Sequence, residues 1–110
     1  MTIDFADFEK VDVRVGRVTA VEDFPRARKP SYRLTVDFGP GVGERRTSAQ
    51  VTTYAKDELV GMQVVGVVNF EPKNIAGFMS EALVLGVPGP DGEVVLLTPT
   101  RDVPDGGRMF

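Results

Sequence analysis

The segment Pro25-Arg26-Ala27-Arg28-Lys29-Pro30 puts three cations into four positions; Tyr32 follows, and Arg33 carries the charge onward. Cations beside an aromatic ring suit a polyanionic ligand, because charges contact phosphates and a ring can stack on a base. The same residues also suit an ordinary solvated loop with Tyr32 in the core. A second stretch runs from Val68 to Glu81. Asn69 interrupts an apolar run there. A buried amide needs hydrogen-bond partners, so it either fixes a turn or points into a site. Lys73 adds a cation. Phe70, Ile75, Phe78 and Met79 are apolar residues that either pack inward or stay exposed for a ligand.

Other chemistries are excluded by composition. The chain has no Cys, so thiolate nucleophiles, disulfides and cysteine metal sites are absent. It has no His, which removes the commonest general base and most transition-metal sites. Asp57 and Glu58 begin a short helical run, where acids are expected without any catalytic role. Gly39-Pro40-Gly41-Val42-Gly43 contains a proline and precedes an Arg-rich strand, so it reads as a hairpin turn and not as a phosphate loop. No cofactor is implied.

Net charge is −3, but it is unevenly distributed. Residues 14–46 hold eight basic and four acidic residues, a local +4; residues 1–13 carry −3 and residues 47–110 carry −4. A basic stretch on an acidic chain can still hold a polyanion. No apolar run is long enough for a membrane helix, so membrane insertion is not expected. The N-terminus lacks the basic and apolar regions of a signal peptide, so the expected location is cytoplasmic.

These side chains need positioning elements, and the valines supply them. There are 18 Val against six Leu and two Ile, with eight Thr adding β-branched character. A short helix is expected over Asp4–Lys10, with Phe5 and Phe8 packed inward. From Asp12 the residues alternate with period two, and Gly16 marks a bend or bulge. Further strands are expected over Tyr32–Phe38 and Arg45–Thr52. A short helix follows over Tyr54–Leu59, then strands over Met62–Phe70, Ala82–Val87 and Glu93–Thr98. This order of three strands, a helix and further strands is that of an all-β OB-fold, a five-stranded Greek-key barrel with a short helix between strands three and four. N- and C-terminal extensions flank it within a single domain, residues 1–110. An SH3-like barrel gives a similar string, although the helix placement favours the OB-fold.

Several collinear motifs then resemble the tRNA-binding OB-fold family, and within it the branch of CsaA-type export-related chaperones. They are Asp7 to Gly16, Ala27 to Tyr32, Ser48 to Val51, Val67 to Pro72 and Ile75 to Gly86. Relatives include the C-terminal domain of methionyl-tRNA synthetase. The resemblance implies passive binding of unfolded or export-bound polypeptides, binding of tRNA, and a homodimer. It places tRNA-contacting roles on Lys29, Ser48, Asn69, Lys73 and Ser80, beside Arg28 and Arg33 of the basic patch. Phe70, Phe78 and Met79 are the apolar candidates for polypeptide, and the apolar ends Phe5/Phe8 and Met109-Phe110 are the candidates for dimerisation. Where relatives follow the last Ser with a residue, Gly and Met, this chain has Glu81, Ala82 and Leu83, a departure that matches the CsaA branch.

Overall fold

Period-two alternation becomes a curled, nearly closed sheet. The computed structural model describes all residues, Met1–Phe110. Strand β1 (Val13–Asp23) is long enough to serve two neighbours. Its first half pairs with β4 (Gln63–Val67) and its second half with β2 (Tyr32–Asp37). Strand β3 (Glu44–Ala49) extends the sheet beyond β2, and β7 (Leu83–Val84) extends it beyond β4. The antiparallel order is β3-β2-β1-β4-β7. Curled on itself, this is the five-stranded OB-type barrel that the element order predicts. Helix α1 (Phe5–Glu9) precedes it, and α2 (Lys56–Leu59) lies between β3 and β4.

The core follows from the alternation. On β2, Tyr32, Leu34 and Val36 turn inward while Arg33 and Thr35 turn outward. Val18, Phe38, Val51, Leu59, Val64, Val68 and Leu96 complete a buried cluster. Each such side chain contributes about 1.5–3 kcal/mol on burial. Gly16 is not a bend. It sits buried within β1 because the Phe38 ring crosses it: a Cβ there would lie 2.7 Å from Phe38 and 2.6 Å from Val36. The register shift falls instead between Val18 and Ala20.

Three further expectations need correction. Residues 73–80, expected as loop, form a hairpin of β5 (Lys73–Ile75) and β6 (Phe78–Ser80). The strand expected over Ala82–Val87 is divided: β7 joins the barrel, whereas β8 (Gly86–Pro88) pairs only with β9 (Val94–Leu96) in a separate ribbon. Phe5 does not pack inward. Its ring meets Phe8 at 5.8 Å between centroids yet stays exposed, because five residues make too short a helix to cover it.

The two chain ends are tied together. Met109 N–H donates to Val13 O at 2.8 Å, and Arg108 donates to Glu9 O at 2.6 Å. Asp12 anchors this clamp. It accepts from Arg14 Nε at 2.6 Å, and Arg108 Nε lies 3.6 Å away. The Arg14 hydrogen bond, against the opposing effect of burial, holds the Asp12 carboxyl below its usual range. A depressed carboxyl stabilises the fold above its unfolded pKa, near 3.9, and that contribution is lost as pH falls through the folded value. Asp12→Asn should therefore lower Tm at pH 7, and the gap to wild type should shrink below about pH 4. Thermal melts across that range check it; a gap independent of pH would contradict the clamp.

Candidate binding cleft

A cleft of about 1030 Å³ opens along the end of β3 and reaches down to the core residues Val51 and Leu96. The loop from Ala27 to Ser31 forms one wall, the β5–β6 hairpin another, and β7 and β9 the far side; the end of β3 runs along it. Its rim carries Arg28, Lys29 and Lys73, all exposed. None of the three takes part in an ion pair within the chain. Their charge is thus free for a ligand. The loop is shaped by its own backbone: Ala27 N–H donates to Phe24 O at 3.2 Å, and Ser31 Oγ to Lys29 O at 2.9 Å.

The floor is aliphatic, built from Val51, Ile75, Leu83, Val84, Val94 and Leu96. No aromatic side chain lines it. Tyr32 is in the core, donating its hydroxyl to Tyr54 O at 2.9 Å; Tyr54 Oη in turn accepts from Leu96 N–H at 3.0 Å and so holds β9 against the cleft. Ser48 and Gln50 supply polar groups at the end of β3. At the hairpin tip Asn74 Oδ1 accepts from Gly77 N–H at 2.9 Å, and Ala76 has φ +50°. A left-handed alanine costs about 1–2 kcal/mol, so surrounding contacts must hold this tip in shape.

Those contacts involve residues the sequence assigned to the ligand. Phe78 is half-buried and outside the cleft. Its ring meets Phe24 edge-on at 5.4 Å, Arg46 lies over it at 4.9 Å, and Arg33 lies over Phe24 at 5.6 Å. Glu22 faces both guanidinium groups, at 3.0 Å from Arg46 and 3.9 Å from Arg33. Arg33 also donates to Asp23 O at 3.0 Å. This stack docks the hairpin on the sheet. Asn69 lies outside the cleft as well. Its amide is used on both sides, accepting from Asp12 N–H at 2.9 Å and donating to Lys10 O at 2.7 Å. Ser80 is buried and bonds Thr47 Oγ1 at 3.1 Å and Ser48 N–H at 3.2 Å. Phe70 and Met79 are about half exposed and also lie outside the cleft.

Of the sequence candidates, the cleft therefore gathers Arg28, Lys29, Ser48 and Lys73. Sequence reading missed Gln50, Leu83, Val84, Val94 and Leu96. Each sits in an expected strand, and only the approach of β3 to β7 and β9 makes them neighbours.

A barrel of this order with a cationic cleft defines a class of binding domain, and the comparisons agree. The family model described as "Putative tRNA binding domain" matches residues 13–108, and the chain belongs to that family. It is similar to the CsaA chaperone protein of Picrophilus torridus, with 47% identity and a TM-score of 0.94 over 99% of this chain and 100% of that one. The chaperone CsaA of Bacillus anthracis is alike at 47% identity and a TM-score of 0.92, with both chains fully covered. A methionine–tRNA ligase of Methanocaldococcus jannaschii is 35% identical over 97% of this chain but only 16% of its own length. This chain thus spans about a sixth of that enzyme. No helix is long and apolar enough to cross a membrane.

Proposed function

We propose that this chain is a passive, non-catalytic chaperone that holds unfolded or export-bound polypeptide in the cleft and binds tRNA on the same face. One observation carries the reading: three unpaired cations ring an aliphatic floor with no aromatic platform. Single-stranded nucleic acid is usually held by base stacking on aromatic rings, which this floor lacks. Aliphatic side chains suit it better, and the rim suits a flanking carboxylate or phosphate. Similarity to the CsaA chaperones supports the polypeptide half, and membership of the tRNA-binding family supports the RNA half. Arg28, Lys29 and Lys73 are then the ligand contacts, with Ser48 beside them. Arg33, Asn69, Phe78 and Ser80 act through position.

The test is a titration of labelled tRNA at low and near-physiological salt, with an unfolded polypeptide as competitor. The label is required because the chain has no Trp. Salt-sensitive binding that polypeptide displaces is expected. A stoichiometric amount should also suppress aggregation of a denatured client. Failure to do so would sink the chaperone half, leaving a tRNA-binding module.

The working unit we propose is a homodimer. Ile3, Phe5, Met109 and Phe110 are exposed at the clamped ends of the chain, as are Val87 and Val95 on the β8–β9 ribbon and Leu97 just beyond it. Burial against a second copy would remove this apolar surface from water. Light scattering at micromolar concentration should give twice the chain mass. Phe5→Asp with Phe110→Asp should give the monomer, and a monomeric wild type would end the proposal.

A further inference from the structure

The two outer strands of the sheet, β3 and β7, face each other across a seam, and no ladder joins them. Side chains close one end of the seam. Glu81 imitates a strand: its N–H donates to Arg46 O at 2.7 Å, and its carboxylate accepts Arg46 N–H at 2.9 Å. Thr47 Oγ1 donates to Ala82 O at 2.7 Å, and Ser80 Oγ takes Ser48 N–H. The closure stops there. Arg46 and Ser48 both turn backbone groups away from β2, so alternation makes Gln50 the next residue to do so. Gln50 lies in the cleft, and neither its N–H nor its C=O has a partner within the chain.

We propose that an extended polypeptide adds to the β3 edge at Gln50, continuing the ladder that Glu81 and Ser80 fill further up. The inference rests on the polypeptide reading above and says how the segment is held. Main-chain bonds to Gln50 give affinity without regard to sequence, as in other cases of strand addition. Alternate side chains of the segment drop onto Val51 and Val84, and the outer ones pass beneath Lys29 and Lys73. The occupant that fits is therefore an extended segment of aliphatic residues with carboxylates between them. Such a segment is exposed in an unfolded chain and hidden in a folded one.

The probe is an eight-residue peptide of alternating valine and aspartate, blocked at both ends. It is compared with two versions, N-methylated at every valine or at every aspartate. Only alternate amides of an added strand face β3, so one version should bind the wild-type protein roughly tenfold more weakly than the other. Gln50→Pro removes the free N–H without breaking an internal bond. It should bind the unmodified peptide roughly tenfold more weakly at an unchanged Tm. Binding of the peptide with equal affinity for the two methylated versions would overturn strand addition while leaving the polypeptide reading intact. Unchanged affinity in folded Gln50→Pro would overturn the placement on β3. Capture of single-stranded oligouridylate but not of the peptide would overturn both readings together.

Discussion

Reversing Lys29 and Lys73 together to glutamate should weaken tRNA binding by roughly a hundredfold or more at low salt, with no loss of fold. Each reversal removes one attraction and adds one repulsion. At surface distances each of these is worth about 1 kcal/mol, and four such changes amount to between two and three powers of ten. The salt dependence carries a second, independent signature. If each lysine neutralises one phosphate, the slope of log affinity against log salt should fall by about two. Stability should stay within about 0.5 kcal/mol, because neither lysine has an ion-pair partner to lose. Arg33→Glu would be a poorer test. It would set a carboxylate opposite Glu22 and take the guanidinium off Phe24, so lost affinity there would mix ligand contact with a loosened hairpin. Unchanged affinity in Lys29→Glu/Lys73→Glu would show that tRNA does not use this cleft.

The same contrast shows what the sequence could and could not disclose. Alternation marks Tyr32–Phe38 as a strand, and strand period alone sets Leu34 and Val36 on one face and Arg33 on the other. The basic loop was legible because no apolar residue competes with its cations for burial. The hairpin at residues 73–80 was not. Its turn is built on Ala76-Gly77, and alanine gives no sign that it will adopt a left-handed conformation, whereas Asn-Gly would have. Asn69 was visible as a polar residue breaking an apolar run. Whether its amide meets a ligand or Lys10 and Asp12 depends on a turn some 57 residues earlier in the chain, which local pattern cannot reach. Phe78 was a candidate for exposure because it falls among loop-forming residues. Its partner Phe24 stands at the end of another strand, and that pairing exists only once the barrel closes. Glu81 is the most instructive case. It precedes Ala82 and Leu83, which stand where the pattern of relatives has Gly and Met, and in three dimensions it does backbone work on Arg46 that no charge count would suggest.

Phe38 should prove the most sensitive residue for stability, and the glycines beneath it allow a sharp test. Its ring is wholly buried and crosses β1 at Gly16 and β4 at Gly66. Phe38→Ala should cost about 3–5 kcal/mol, a large part of the total for a domain of this size. At Gly66, a Cβ would lie 3.0 Å from Phe38 Cζ and 3.4 Å from its Cε1, with Leu83 O at 3.2 Å. Two of these three nearest atoms belong to the phenylalanine. Gly66→Ala alone should therefore destabilise by about 1–3 kcal/mol, through crowding and not through backbone strain. With Phe38 already cut to alanine, the added methyl enters vacated space and should cost little or recover part of the loss. The coupling between the two changes should then be about 1–2 kcal/mol in the favourable direction, read from urea unfolding of all four proteins. Gly16→Ala should recover less in the same background, because Val36, at 2.6 Å, still blocks that Cβ. Additive losses at Gly66 would mean that the glycine is required by the backbone, and that the ring does not set the spacing between β4 and its neighbours. Since β4 carries β7, and β7 forms the far wall of the cleft, that spacing also fixes how wide the seam opens.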